Sequence, residues 1–305
     1  MSDPATDKSQ KKLGLTLGFI GALLWGIFPI TTMVLTTTLK PLATTALSTL
    51  IAALFFAIII TVKKSWDKFY FTQTWRAMVG ASLFIGVSYY ALIYWASNQT
   101  NPGNVAILIL MEIPFSILIL RYLGHETLSS REIIGALVMI SGALFVLIPG
   151  WSNPAKSWLV EAALVGATLL PPFVNNLIKE ARKVTSAIHL MFMRSLIAGS
   201  ILLLLSHYLE GSIEISSISE ILPLLLFQGI VLMGIEKVAF IESINLIPIS
   251  INLALHCSSA LFTLILMYFF LDHTSTWYQI AAIIPLAIGT YLLSTADETP
   301  TQTPL

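Results

Sequence analysis

Ten apolar runs follow one another along this chain with only short polar connections, and that succession dictates the solvent in which it can fold. The runs lie at Leu13–Leu35, Pro41–Val62, Met78–Ala96, Gly103–Leu120, Ile133–Ile148, Trp158–Ile178, Ala187–Leu205, Ile221–Ile241, Pro248–Leu271 and Trp277–Leu293. A helix crosses the hydrocarbon core of a bilayer with about 17–25 apolar residues at ~1.5 Å each. Only Ile133–Ile148 falls short, and an extension back to Ser130 would lengthen it. Composition agrees, with 56% hydrophobic and 10% charged residues, where soluble domains carry about 25% charged. The sequence therefore predicts an all-α integral membrane protein of ten transmembrane helices, with membrane lipid as its surroundings.

Charge sets the expected orientation. Twelve of the 16 Lys and Arg residues fall in the tail and loops on one side: Lys8, Lys11, Lys12, Lys63, Lys64, Lys68, Arg76, Arg121, Arg131, Lys179, Arg182 and Lys183. The other side holds Lys40 and Lys156, while Arg194 and Lys237 lie within apolar runs. The positive-inside rule then places both termini in the cytoplasm. Residues 1–12 read as a polar N-terminal tail, and residues 296–305, rich in Thr and Pro, as a disordered C-terminal one. The first run exceeds a signal-peptide core and reads as a retained helix. A net charge of zero gives no case for a nucleic-acid partner. The single Cys257 excludes an intramolecular disulfide and a thiolate metal cluster. No cofactor and no metal site is expected.

The two halves echo each other. Ser48-Thr-Leu-Ile-Ala-Ala parallels Arg194-Ser-Leu-Ile-Ala-Gly, and Pro102 parallels Pro248, both at an offset of 146 residues. Gly21-Ala22 and Gly166-Ala167 lie 145 apart, and Gly142 and Gly289 lie 147 apart. A steady offset argues for internal duplication. Repeats of five helices, an odd number, must insert in opposite senses. Inverted repeats of this kind put the substrate site at their interface near the midplane. The expected units are residues 13–150 and 151–295.

Leu24-Trp25-Gly26, the neighbourhood of Glu112 and Pro114, and Glu126-Thr-Leu followed by Gly135 and Gly142 carry a resemblance. In that order, along 13–293, the sequence resembles the EamA-type transporters of the drug/metabolite transporter superfamily. The resemblance implies an inner-membrane secondary transporter, often an exporter of amino acids or other small metabolites. It also implies that helices 1, 3 and 4, with their equivalents 6, 8 and 9, surround a central cavity. The sequence departs from the family at Ser48, where an arginine is common, and at Ser258 or Ser259, where a Glu would be expected.

Glu112 is the first candidate site residue. It stands near the middle of Gly103–Leu120, with no other charge between Arg76 and Arg121. A carboxylate at that depth costs at least a few kcal/mol unless paired or faced into a cavity. It reads as a proton-coupling acid or substrate counter-ion, or as a neutral acid bonded to a neighbouring helix. Arg194, Glu236 and Lys237 are expected to form an ion network, static or gating, because a buried charge needs its opposite.

Asn252, His256, Ser259 and Thr263, at spacings of 4, 3 and 4, share one helical face. That face lines a cavity or bonds a neighbouring helix. Pro171-Pro172 should break the sixth helix and free carbonyls near Thr168 and Asn175. Trp25, with Pro29, is a candidate cavity wall. Tyr89, Tyr90, Tyr94 and Trp95 fit an interfacial belt, or part of such a wall. The partners expected are a small-molecule substrate and a coupling ion, for which protons are the candidate, in a monomer or homodimer. No phosphate-cradling G-x-x-x-x-G-K-[ST] run and no nucleophile elbow occurs. The competing readings are a membrane-embedded enzyme acting on a lipid-linked substrate and an assembly partner without transport.

Overall fold

The computed structural model describes residues 4–69, 71–122, 129–152, 157–213, 215–247, 249–272 and 274–295. Among them every regular element is helical. In chain order these are α1 (Pro4–Thr38), α2 (Pro41–Val62), α3 (Phe71–Gly80), α4 (Tyr90–Ser97), α5 (Pro102–Ile109), α6 (Glu112–Tyr122) and α7 (Ser130–Ser152). The second half follows with α8 (Ser157–Ala167), α9 (Pro171–Ala181), α10 (Ala187–Leu209), α11 (Ile215–Leu226), α12 (Glu236–Leu246), α13 (Ile249–Leu271) and α14 (Trp277–Ser294). Seven segments are long and apolar enough to cross a membrane: Ser9–Thr38, Pro41–Val62, Thr74–Ser97, Pro102–Ile119, Ser130–Leu147, Ala187–Leu209 and Ile218–Leu246. Three shorter apolar helices, Trp158–Val174, Leu255–Leu271 and Trp277–Leu293, complete the bundle. The protein is a multi-pass membrane protein. The motif residues at Glu126 lie outside the described residues.

Two features depart from plain α-helices. The apolar run around Glu112 is not one helix: α5 ends at Ile109, and α6 restarts at Glu112 after a turn at Leu110 and Met111. Pro114 explains the restart, since it has no N–H to donate and its ring crowds the preceding turn, yet it fits a helix's first turn. Pro171-Pro172 interrupts the chain in the same way, with a turn at Thr168–Leu170 between α8 and α9. Thr168 and Asn175 therefore do not share a continuous helical face.

The second feature is a pair of π-helical stretches, Ala81–Tyr89 between α3 and α4 and Phe227–Ile235 between α11 and α12. Their first residues are 146 apart, the offset already present in the sequence. The first packs on α10 and the second on α2, so the halves answer one another in contacts as well. Glycines permit this closeness. A Cβ on Gly229 would lie 2.7 Å from the Ile51 Cβ and 2.8 Å from the Ser48 carbonyl oxygen.

Two cross-repeat pairs, α2 with α10 and α7 with α14, form the most extensive helix contacts. The first is stapled at both ends. The Glu210 carboxylate accepts from the Leu42 and Ala43 amides, each at 2.9 Å, at the start of α2. At the other end, His189 Nε2 lies 2.8 Å from the Ser65 carbonyl oxygen. In the second pair a Cβ on Gly142 would come within 3.0 Å of the Ala282 carbonyl oxygen.

Candidate functional site

The site begins with Trp25 and the glycine that follows it. A Cβ on Gly26 would lie 2.7 Å from the Phe262 Cβ and 2.8 Å from the Ser259 carbonyl oxygen, so only glycine lets α1 approach α13 this closely. Trp25 turns inward, 9% exposed, and stacks on Phe28 with ring centroids 4.6 Å apart. The end of the first π-helical stretch delivers Tyr89, and the start of α4 delivers Tyr90. Glu112, first residue of α6, accepts a hydrogen bond from the Tyr89 hydroxyl at 3.3 Å.

From the other half, α12 opens with Glu236 and Lys237, whose Oε2 and Nζ atoms pair at 2.8 Å. A helical side chain leans toward the N-terminus of its helix, which carries the ammonium to 3.5 Å from the Trp25 ring centroid. Glu236 is wholly buried. Arg194 on α10 passes beside Gly86, where a Cβ would sit 3.6 Å from its Cγ. Its guanidinium carbon lies 5.7 Å from the Tyr90 ring centroid. The charge of Lys237 acts on Glu112 and on His256, and that of Arg194 acts on Glu236. Two carboxylates and two cations thus meet in one cluster, each sign able to balance the other.

Other expected residues have different surroundings. Asn252 Oδ1 accepts from Ser243 Oγ at 2.8 Å, and Thr263 Oγ1 donates to the Gly26 carbonyl at 2.7 Å. Ser259 meets α1 at Gly26. The polar face of α13 thus packs on the glycines of α1. Within it, His256 stands edge-on to Phe240, and its Nε2 has no hydrogen-bond partner. Thr168 donates to the Val165 carbonyl at 2.7 Å, satisfying an acceptor at the break. Asn175 lies on α9, but its side chain is outside the described residues.

Tyr89, Tyr90 and Tyr94 are not an interfacial belt. They are 3%, 1% and 0% exposed, and Tyr89 and Tyr90 wall the charged cluster. The sequence clue was a run of aromatics preceding a lone acid, but only the π-helical stretch fixes which rings turn inward. Gln228 also gains a defined place, donating to Thr32 Oγ1 and Tyr94 Oη at 2.8 Å each and accepting from Thr31 Oγ1.

The model of the EamA-like transporter family matches the chain twice, over residues 12–148 and 160–295. The chain belongs to the EamA-like transporter family. This EamA-type transporter of the drug/metabolite transporter superfamily also shares its fold with a solved crystal structure at a TM-score of 0.69. That likeness covers 92% of this chain and 95% of the other at 16% identity, and it speaks for the fold alone. No curated protein matches the chain. In this EamA-type transporter the cluster draws on the segments carrying Trp25, Tyr89, Glu112, Lys237 and His256, together with Arg194 of α10.

Proposed function

We propose that this protein is a secondary transporter that exports a small metabolite, such as an amino acid, by alternating access around the Glu112 cluster. The proposal includes ten spans in two inverted five-helix repeats with both termini cytoplasmic. The observation that carries it is a charge-balanced, aromatic-walled cluster around the buried Glu236 and Arg194, lying between two separately latched ends. At one end Asn98 Nδ2 donates to the Thr36 carbonyl at 2.7 Å. At the other, Arg182 pairs with Glu242 at 3.4 Å. Charges held out of water are costly, and a chain that buries Glu236 and Arg194 beside the half-buried Glu112 and Lys237 has a use for them.

In this reading Glu112 binds the substrate or the coupling proton, and Trp25, Tyr89 and His256 complete the site. The groups that act on Glu112 are Lys237, through its charge, and Tyr89, through its hydrogen bond. The test is reconstitution into liposomes with labelled amino acids, nucleosides, sugars and organic cations. Saturable transport is expected, with the substrate recovered chemically unchanged, which an enzyme acting on it would not allow. Glu112→Gln is expected to lower transport by about ten-fold or more, the effect of losing one charged contact. A Glu112→Gln protein that transports at the wild-type rate with the wild-type pH dependence overturns the role of Glu112.

A further inference from the structure

The ammonium of Lys237 sits where a ligand's cation would be best held. Phe28 stacks on Trp25, the Lys237 Nζ lies 3.5 Å from the Trp25 ring centroid, and Glu236 Oε2 lies 2.8 Å from the same Nζ. Glu112 is within its electrostatic reach. An aromatic face flanked by carboxylates is the arrangement that holds ammonium groups, most strongly when water is excluded. Glu236 is fully buried, and neither of its oxygens has a hydrogen bond beyond this ion pair. That carboxylate pairs directly with whatever cation occupies the ring face, with the charge of Arg194 acting on it as well.

We propose that Trp25, Glu236 and Glu112 form a cation seat for an ammonium-bearing ligand, and that Lys237 is a tethered occupant which such a ligand displaces. This rests on reading the cluster as the transport site. The consequence is specific. With the seat empty of ligand, Lys237 keeps the buried carboxylates neutralised, so no free metal cation has to do so. When a ligand's ammonium takes the ring face, the lysine swings away on its flexible stem.

Binding can be read without transport, so failure of this inference and failure of the transport reading are separable. The probe is tetramethylammonium, which presents its charge through methyl groups and donates no hydrogen bond, with neutral tert-butanol as the shape control. Thermal midpoints of purified protein are followed against probe concentration at constant ionic strength. Wild-type protein is expected to bind weakly, because the seat is filled. Lys237→Gln is expected to bind tetramethylammonium about ten-fold tighter or more, the scale of a desolvated cation–π contact. Adding Trp25→Leu to that variant should remove the gain, and tert-butanol should produce none. Equal affinity in wild type and Lys237→Gln, or a gain that survives Trp25→Leu, overturns the proposal. If Lys237→Gln does not survive purification alone, folded recovery is measured with the probe present throughout. Recovery raised by tetramethylammonium and not by sodium chloride or tert-butanol supports the seat, and equal recovery in all three overturns it.

Discussion

Asn98 holds Thr36 through a 2.7 Å hydrogen bond from its side-chain amide to the Thr36 carbonyl, tying the end of α4 to the end of α1. Arg182, just past the end of α9, and Glu242, in the second half of α12, do the same at the opposite end. Arg182 lies 146 residues after Thr36, and Glu242 lies 144 after Asn98, so the two latches are counterparts in the two repeats (182 − 36 and 242 − 98). In the proposed orientation the outer contact is neutral and short, whereas the inner one is ionic and partly open to solvent. Both are closed in this conformation.

Breaking one latch should therefore loosen one end only. With paired spin labels at Thr38 and Gln99, and at Lys183 and Asn245, Asn98→Ala is expected to broaden the first distance distribution and leave the second unchanged. Arg182→Ala should do the reverse. A partly exposed ion pair is worth only about 0–1 kcal/mol, so raised salt should mimic Arg182→Ala at the inner pair and leave the outer pair alone. Broadening of both pairs by either change would contradict independent latches.

Neutralising one member of the buried pair should cost more than neutralising both. Glu236→Gln leaves the Lys237 ammonium without its carboxylate, and losing one partner of a buried ion pair costs roughly 3–5 kcal/mol. Joint replacement by Glu236→Gln and Lys237→Met removes both charges and should recover most of that loss. Thermal midpoints of the two single variants and the double complete the cycle. Additive losses would mean that the pair is not coupled.

Gly26 offers a steric test. A larger residue there meets the Ser259 carbonyl and Phe262 Cβ at under 3 Å, and neither can move without shifting α13. Gly26→Leu is expected to destabilise by roughly 1–3 kcal/mol or more. It should also disturb Trp25 and with it the seat of Lys237. Gly166→Ala, at a position with nothing within 4 Å of an added Cβ, is the control and should leave the midpoint unchanged.

Glu210 caps the first turn of α2 from the end of α10, accepting from two amides that have no partner within the helix. Glu210→Ala should lower stability by about 0.5–2 kcal/mol, the usual effect of losing an N-terminal cap. Glu220→Ala, an exposed change elsewhere on the same side, should have little effect. Equal losses in the two would remove the cap as the cause.

The helical segments were legible because each apolar run is long and its ends carry chemistry that stops a helix. Pro41, Pro102 and Pro171 sit at helix starts, where a proline lacks only a bond that would be missing anyway. The duplication was legible from paired motifs at a constant offset. The restart at Glu112 was not foreseen, although Pro114 stood two residues beyond it as the signal. The π-helical stretches left no mark in composition, because an apolar run looks the same wound either way. The inward turn of Tyr89 and Tyr90 depends on that winding, so the aromatic wall could not be assigned from spacing.

By itself the sequence determined the solvent, the succession of helices, the repeat and the identity of the rare buried charges. Each of these follows from a local property: hydropathy, proline position, or the cost of a charge in hydrocarbon. Tertiary structure decided which charges meet. Glu112 and Lys237 are 125 residues apart in the chain (237 − 112), and nothing local specifies their approach. They share one cluster because glycines at Gly26 and Gly86 let α1 settle on α13 and the first π-helical stretch settle on α10. Contact between distant segments is fixed by how closely their surfaces pack, and packing is a property of the folded chain as a whole.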